Sequence, residues 1–329
     1  MIGGWGAAIA LMVAGGWSGA PDPCDGGCDR FVYRQIHMGM EVRMVLYAPE
    51  EAIARRAARA AFDTIAVLDG TLSHYRADSE LTRLCRRAGG PPVPVSEHLF
   101  RVLKQAHALA RRSDGAFDVT VGPYVALWRT ARRTGVLPSA AALQRADSLV
   151  GWTLMDLKEA GRRVQLARPE MRLDLGGIAK GYVLDRARAA LAAHGVERAL
   201  VEAGGDLVVG APPPGRAGWT VEVPHATSPG RGRHVETLAH AAVATSGDAV
   251  QYVEIEGTRY SHVVDPRTGL GLTRHYPTTV IAPDGLTADG LATTIGVLGP
   301  DEGRRLASSF PQVRVLVAED DSIHVFGGR

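Results

Sequence analysis

The segment DLGGIAKGY joins a carboxylate, two glycines and a lysine where an apolar run meets a helical pattern. Glycine lets backbone N–H groups approach an anion, and a helix N-terminus adds a favourable partial charge. Lys180 could add a point charge to the same anion. However, the segment matches neither G-x-x-x-x-G-K-[ST] nor G-x-G-x-x-G, the common nucleotide fingerprints. Two interpretations therefore stay open, a phosphate site and a tight turn that requires glycine.

A carboxylate and a hydroxyl share one face of a predicted helix near residue 290. Asp289 and Thr293 stand four residues apart in LTADGLATTIG, so a helix brings both side chains to the same side. Such oxygens suit a hard cation such as Mg²⁺, which keeps some waters and takes other ligands from substrate phosphates. The alternative is structural, because Thr287 as the N-cap would place Asp289 in the first turn, where an acid is stabilised anyway.

Two other kinds of segment place polar groups beside turns or aromatic rings. His262 lies near a strand end in RYSHVVDPRTG, where it could act as a general base while Arg267 grips a phosphate. A half-exposed polar histidine is the alternative. In SHYRADSEL and SDGAFDVTVG, Tyr75 and Phe117 lie beside carboxylates such as Asp118, so a planar heterocycle could stack there. Core packing with solvated acids explains the same residues.

The elements that must position these groups are predicted to form an α+β fold of mixed or antiparallel sheets with packed helices. Strand patterns, including RRVQLA and MRLDL, dominate over regular βαβ alternation, and hairpins follow residue 233. The predicted helices are 50–68 ended by Gly70, 96–112, a short one after the N-cap Ser139, 178–193 closed by Gly195, 288–298 and 300–309.

Composition is that of a folded protein and argues against two classes of partner. The chain has 329 residues, of which 46% are hydrophobic and 22% charged, and these fractions are ordinary for a globular protein. The formal net charge of +2 gives no strong field that would favour nucleic acid or a membrane surface. We therefore expect no nucleic-acid partner and at most a peripheral contact with a membrane.

Residues 1–20 are typical of an export signal. GAAIALMVAGG is an apolar run too short to span a bilayer, and small residues follow it in WSGA. No Lys or Arg precedes the run, and a buried core helix is the alternative. We expect an exported, periplasmic or extracytoplasmic protein, with a flexible segment 21–30 before a domain over 31–329. Cys24 and Cys28 could pair in an oxidising compartment or stay as two thiols.

Eight blocks of the sequence together resemble the FAD:protein FMN transferases, the ApbE-type flavin transferase family. The blocks fall in the family's order over about residues 35–300: HMGM, HYRADSEL, GAFDVTVGPYVALW, DLGGIAKGYVLDRA, VEAGGDLVVG, ATSGD, YSHVVDPRTG and TTVIAPDGLTADGLATTIGVLG. GAFDVTVGP, GGIAKGY and SHVVDPRTG are the most specific. The chain departs from the family's usual residues at Ala77, Cys85 and Gly290, and none of these departures removes a proposed ligand.

The resemblance implies a T-fold-like domain of two interleaved lobes and an enzyme that uses Mg²⁺ and takes FAD as its substrate. It implies transfer of FMN to a threonine or serine hydroxyl in the flavinylation motif of an acceptor flavoprotein, with release of AMP. The implied flavin contacts are Met38, Tyr75, Ala116, Phe117, Asp118, Asp174, Lys180 and Val264. The implied metal ligands are the carbonyl of Gly177, Asp289, the backbone of Ala292, and Thr293. His262, which resembles the family histidine that assists deprotonation of the acceptor hydroxyl, and Asp289 are the implied catalytic residues.

Two other functions stay open beside this one. An FAD pyrophosphatase would use water in place of the acceptor hydroxyl and give FMN and AMP. A non-catalytic FAD-binding protein would need no metal pair, so the presence of Asp289 and Thr293 with His262 argues against it.

Overall fold

The structure, a computed structural model, describes Cys24 and residues 27–223, 234–247, 252–274, 276–319 and 322–328. The predicted export segment 1–20, half of the predicted flexible segment 21–30 (residues 21–23, 25 and 26) and residues 224–233 lie outside these residues. Cys24 and Cys28 form a disulfide, which decides between the two states that the sequence left open. Within the described part of the chain, no helix is both long and apolar enough to cross a membrane.

Helices and strands alternate irregularly along the chain. The helices are α1 (Glu51–Leu72), α2 (Glu80–Cys85), α3 (Glu97–Arg112), α4 (Gly122–Thr134), α5 (Ala140–Asp147), α6 (Ala179–Ala193) and α7 (Gly285–Ala307), with a 3₁₀ turn at Trp152–Leu154. The strands are β1 (Asp29–His37), β2 (Met40–Ala48), β3 (Val93–Pro94), β4 (Met155–Lys158), β5 (Arg163–Leu166), β6 (Ala199–Ala203), β7 (Asp206–Val209), β8 (Trp219–Val223), β9 (His234–Leu238), β10 (Ala241–Ser246), β11 (Tyr252–Ile255), β12 (Thr258–Ser261), β13 (Thr278–Ala282), β14 (Arg314–Glu319) and β15 (Ser322–Gly327).

One eight-stranded sheet organises the fold, with the strand order β1-β2-β6-β7-β10-β13-β14-β15. All seven neighbouring pairs in it are antiparallel. The smaller sheets β3-β5-β4, β8-β9 and β11-β12 are antiparallel as well. Antiparallel sheets packed with helices define the α+β class, so the predicted fold class is confirmed.

The two faces of the large sheet are covered differently. Val42, Met44 and Leu46 of β2 join the main hydrophobic core, whereas Val45 points to the opposite face, as the period of two in a strand requires. Helices α1, α6 and α7 pack on the first face, where α6 contacts both α1 and α7. Strands β8 and β9 cover part of the second face, where Trp219 packs in the cluster around Val45.

A second, smaller hydrophobic core lies outside the main one. Tyr124 and Trp128 of α4 pack there with Ile255 of β11 and with Val264. The Trp128 indole N–H also donates to the Gly269 carbonyl at 2.8 Å. These contacts hold the turn after β12 against α4. The turn and the helix both contribute residues to the cavity described below.

Local capping signals predicted several helix ends correctly. Ser139 accepts a hydrogen bond from the Ala142 N–H and so caps α5, as expected. Ser96, where a helix over 96–112 is predicted to begin, accepts from the Leu99 N–H and is the N-cap of α3. Gly195 follows α6 with φ of +81°, the left-handed conformation that glycine adopts without strain.

Two predicted helix boundaries and one predicted strand are wrong. Gly70 lies inside α1, which ends only when the Ser73 N–H caps the Asp69 carbonyl. MRLDL does not form a strand, since Arg172 makes only an isolated bridge. The N-cap of the last helix is Asp284 rather than Thr287, because the Asp284 side chain accepts from the Thr287 N–H.

The predicted break between helices 288–298 and 300–309 is confirmed. Within α7, Gly299 has the non-helical values φ of +77° and ψ of −177°, and Pro300 follows it, so the helix axis is interrupted there. Helices α2 and α4 form in segments where the sequence pattern indicates only aromatic rings beside carboxylates.

Candidate active site

A cavity of about 1050 Å³ lies where the turn after β1, the start of α6, one face of α7, helix α4 and the segment after β12 meet. Twelve of the thirteen predicted site residues line it: Met38, Tyr75, Ala116, Phe117, Asp118, Asp174, Gly177, Lys180, His262, Val264, Asp289 and Thr293. Ala292 is the exception, because its side chain is buried in the main core on α7. A cavity of this size can enclose a dinucleotide.

A two-residue turn brings Met38 to this cavity. Met38 and Gly39 join β1 to β2 and have φ of +51° and +74°, the left-handed values of a type I′ hairpin turn. Glycine adopts this conformation freely, but methionine does so only under strain of order 1 kcal/mol. The sheet pairing on both sides of the turn holds Met38 there.

Helices α6 and α7 begin next to each other and cap each other's N-termini. Asp289 of α7 accepts a hydrogen bond from the Gly181 N–H of α6 at 3.0 Å. Asp185 of α6 accepts from the Gly285 and Leu286 N–H groups of α7 at 2.8 and 3.0 Å. Burial raises the pKa of Asp185 to about 6. This reciprocal capping fixes the position of Asp289 relative to the DLGGIAKGY segment.

Glycine permits this close approach of the two helices. A Cβ atom on Gly181 would lie 1.9 Å from the Gly285 carbonyl oxygen and 2.9 Å from the Asp289 Cβ. No side chain fits in such a space, so α6 and α7 meet backbone to backbone. Gly181 is therefore required by the crossing of α6 and α7 rather than by a turn of the chain.

Asp289, Lys180 and Asp206 form a buried charge cluster at the start of α6. The Lys180 Nζ lies 2.9 Å from Asp206 Oδ2, and the Asp206 side chain also accepts from the Thr245 N–H. Burial and the neighbouring Asp206 raise the pKa of Asp289 well above its usual range. Burial lowers the pKa of Lys180, but Asp206 and Asp289 outweigh it and the net direction is upward. Two carboxylates thus face one ammonium.

The donors around this cluster fit a hard divalent cation. A Cβ on Gly177 would lie 3.0 Å from the Thr293 hydroxyl oxygen, so the Gly177 backbone and Thr293 are direct neighbours. Asp289 lies one helical turn before Thr293 on α7. Among the described residues, no three His, Cys, Asp or Glu side chains cluster as a metal site. The Asp289 carboxylate, the Thr293 hydroxyl and the Gly177 carbonyl together suit Mg²⁺, whose remaining ligands are waters and phosphate oxygens.

The N–H groups at the start of α6 are largely used within the protein. Ile178 and Ala179 both donate to the Leu175 carbonyl, and Gly181 donates to Asp289. Lys180 is paired with Asp206 rather than held ready for an anion. The segment is therefore less an open phosphate cradle than a rigid support for the charge cluster.

An aromatic and charged group lines another part of the cavity wall. The Arg129 guanidinium lies over the Tyr75 ring, with its Cζ 4.5 Å from the ring centroid. The His74 and Tyr75 ring centroids are 4.0 Å apart. Asp174, which accepts from the Gly176 N–H, faces both His74 and Arg129. Tyr75 itself is 76% exposed and is available to a ligand ring.

Phe117 and Asp118 contribute to the cavity from the segment before α4. Asp118 Oδ1 accepts from both the N–H and the hydroxyl of Thr120 at 2.7 Å. Burial raises the pKa of Asp118. The carboxylate is thus tied to its own loop and shapes the wall beside the buried Phe117 ring.

His262 follows β12, is half-buried and lines the cavity. Arg267, which the sequence suggested as a phosphate ligand, instead makes a bidentate pair with Asp265 at 2.9 and 3.0 Å and does not line the cavity. The reason is local, because the DPRTG turn brings the two side chains together and neutralises both charges.

Three residues that sequence reasoning missed belong to the site. Asp206 lies inside the block VEAGGDLVVG and His74 inside HYRADSEL, so both stand in segments already singled out. Arg129 directly follows the block that ends in VALW. Each acquires its partner from another element of the fold, and no local signal in the sequence indicates such a pairing.

Comparisons with known proteins place this geometry in a family. The family model described as ApbE family matches residues 38–317. The chain is 33% identical over 276 residues to an FAD:protein FMN transferase of Klebsiella pneumoniae (strain 342), covering 83% of this chain and 84% of the relative. It is 32% identical over 299 residues to an FAD:protein FMN transferase of Treponema pallidum (strain Nichols), covering 86% and 82%.

Solved structures agree with the sequence comparisons. The flavin transferase ApbE from Vibrio cholerae superposes with a TM-score of 0.80 at 28% identity, covering 91% of this chain and 97% of that one. The ApbE protein from Thermotoga maritima superposes with a TM-score of 0.78 at 31% identity, covering 90% and 96%. The family match spans most of the chain and the fold agrees with it, so this chain belongs to the ApbE family.

Proposed function

We propose that this chain transfers FMN from FAD to a threonine or serine hydroxyl of an acceptor protein, with Mg²⁺ and with release of AMP. The relatives named FAD:protein FMN transferase support the reaction. The observation that carries it is one cavity in which Asp289, Thr293 and the Gly177 backbone stand together and which Tyr75 and His262 also line. That arrangement offers a cation site, a surface for a planar ring and a base within one enclosure.

Asp289, Thr293 and the Gly177 carbonyl would hold the magnesium ion. When bound, Mg²⁺ supplies a Lewis acid that neutralises charge on the diphosphate. The excess of carboxylate over ammonium in the cluster with Lys180 and Asp206 supports a cation here, because a buried carboxylate is stabilised only when its charge is balanced. Lys180 keeps Asp206 neutralised and leaves Asp289 as the carboxylate that faces the cation.

His262 would take the proton of the acceptor hydroxyl. The hydroxyl oxygen forms a bond to the phosphorus of the FMN half, the bond from that phosphorus to the bridging oxygen breaks, and AMP leaves with that oxygen. The proton of the hydroxyl passes to the imidazole, since histidine is the side chain that most often serves as a general base in enzymes.

The reaction is tested by mass spectrometry of purified protein incubated with FAD, Mg²⁺ and a set of synthetic threonine-containing peptides. We expect a peptide that gains the mass of FMN and a matching amount of AMP. Free FMN and AMP without an adduct would instead identify a pyrophosphatase, and intact FAD would identify a binding protein.

We also propose that the protein acts outside the cytoplasm. The apolar run GAAIALMVAGG precedes a Cys24–Cys28 disulfide, and structural disulfides persist in oxidising compartments. Fusion of residues 1–30 to alkaline phosphatase, which is active only after export, tests this. Activity equal to that of a fusion lacking residues 1–20 would contradict it.

A further inference from the structure

We propose that Arg129 is a further FAD-binding residue of this site and that His74 positions it, so that Arg129 and Tyr75 together form a preformed stacking surface for a planar heteroaromatic ring. The inference rests on the proposed function for the identity of the ligand. Neither Arg129 nor His74 is among the residues that the resemblance to flavin transferases implies.

The first support is the position of Arg129 itself. It projects from α4 into the cavity wall, with its Cζ 4.5 Å from the centroid of the Tyr75 ring. Tyr75 lies on the loop between α1 and α2 and is 76% exposed, so the hydrophobic core does not hold its ring. The guanidinium is therefore a major contact that orders this ring, through a cation–π interaction.

The second support is the way Arg129 is held. Its Nη2 hydrogen-bonds to His74 Nε2 and lies 3.6 Å from Asp174 Oδ2. Because arginine has only donors, His74 Nε2 must accept and the His74 proton must reside on Nδ1. Nδ1 lies 3.4 Å from Asp174 Oδ1, so the same carboxylate faces both partners. The guanidinium plane is thus fixed by two groups from two different segments.

The surroundings favour this tautomer of His74. Burial lowers the pKa of His74, and Arg129 acts in the same direction, while Asp174 opposes them. The neutral imidazole is thereby retained near pH 7, which keeps Nε2 free of a proton and able to accept from Arg129. Only arginine offers a planar fork that can stack on a ring while bonding sideways, so lysine is a poor substitute.

Two parts of FAD contain a planar heteroaromatic ring, the isoalloxazine and the adenine. Both would stack on the Tyr75–Arg129 surface through the same chemistry. Binding of FMN and of ADP, each measured by competition with FAD, distinguishes them, because a change at Arg129 weakens only the ligand that carries the stacked ring.

The test is FAD affinity from quenching of flavin fluorescence, for wild type, Arg129→Lys and the control Arg133→Lys. Arg133 is exposed on the same helix and does not line the cavity. We expect Arg129→Lys to weaken FAD about tenfold and Arg133→Lys to change it less than about twofold. The thermal midpoints of both variants should stay near that of wild type, which separates lost binding from a general folding defect. Equal affinity of the two variants would overturn the role of Arg129.

His74 is tested as a positioning residue by two variants. His74→Gln keeps an acceptor for Arg129 and a donor for Asp174 and should retain FAD affinity, whereas His74→Phe should lose it to the same extent as Arg129→Lys. Unchanged affinity in His74→Phe would overturn the positioning role. If wild type binds FAD but makes no FMN adduct or AMP, the proposed function fails while these affinities still decide the inference. If wild type does not bind FAD, both fail.

Discussion

The crossing of α6 and α7 makes Gly181→Ala the most demanding single test of the site. The added Cβ would meet the Gly285 carbonyl oxygen at 1.9 Å, although real Cβ contacts do not fall below 3.0 Å. The Gly285 carbonyl oxygen and the position of the added Cβ must therefore move apart by at least 1.1 Å, the difference between these distances. The atom in the way belongs to backbone, so a change of side-chain rotamer does not relieve it.

This displacement acts directly on the proposed cation site. Asp289 is hydrogen-bonded to Gly181 and its Cβ would lie only 2.9 Å from the new methyl group. A shift of about 1 Å in a positioned catalytic group costs on the order of 100-fold in rate. Overpacking should lower the free energy of unfolding by about 1–3 kcal/mol, less the ~1 kcal/mol that alanine gains over glycine in a helix.

The assay compares Gly181→Ala with Gly70→Ala as a matched control. Gly70 lies inside α1 with open space around the added Cβ, so alanine there should raise the free energy of unfolding by ~1 kcal/mol and leave activity unchanged. AMP release and urea unfolding are measured for both variants. Wild-type AMP release by Gly181→Ala would refute the claim that this crossing positions Asp289.

Three other groups of variants test the proposed base, the proposed hydroxyl ligand of the cation and the buried Asp185. His262→Ala should reduce FMN transfer about 100-fold or more with little change in FAD affinity if the imidazole is the base; an unchanged transfer rate would contradict this. Thr293→Val should raise the Mg²⁺ concentration needed for half-maximal AMP release while Thr293→Ser stays near wild type, and equal Mg²⁺ dependence of the two variants would contradict a hydroxyl ligand. The pKa of Asp185 is raised by burial to about 6 in the folded state, so between pH 4 and 6 the folded chain binds more protons than the unfolded chain and stability falls as pH rises. In Asp185→Asn, the free energy of unfolding should fall about 3 kcal/mol less between pH 4 and pH 6 than in wild type, as measured by urea unfolding at several pH values. The same pH dependence in both proteins would show that another group causes the decline.

The parts of the fold that were predictable from sequence depend on neighbours along the chain. Ser139 caps α5 through its own next turn, and Gly195 ends α6 in the left-handed conformation that glycine adopts freely. The failures are non-local. Gly70 did not end α1, since the packing of α1 against α6 and β2 carries the helix past it. Thr287 was displaced as the N-cap by Asp284, whose N-terminal turn is fixed by Asp185.

The residues of the candidate site also fall into those that the sequence indicated and those that depend on non-local partners. Resemblance to a known family pointed to Asp289, Thr293 and Tyr75, and the fold brings all three to one cavity. It did not point to Asp206 or Arg129, because their importance comes from partners on other elements. Gly181 illustrates this limit, since nothing in its predicted helix 178–193 indicates that this position requires glycine for a contact with α7.

The proposed reaction depends on one divalent cation bound between Asp289, Thr293 and the Gly177 carbonyl. Anomalous diffraction from crystals grown with Mn²⁺ and FAD tests it most directly, because manganese replaces magnesium at oxygen sites and marks its own position. We expect an anomalous peak within coordination distance of the Asp289 and Thr293 oxygens and of the FAD diphosphate. FAD bound in the cavity without a peak there would contradict it.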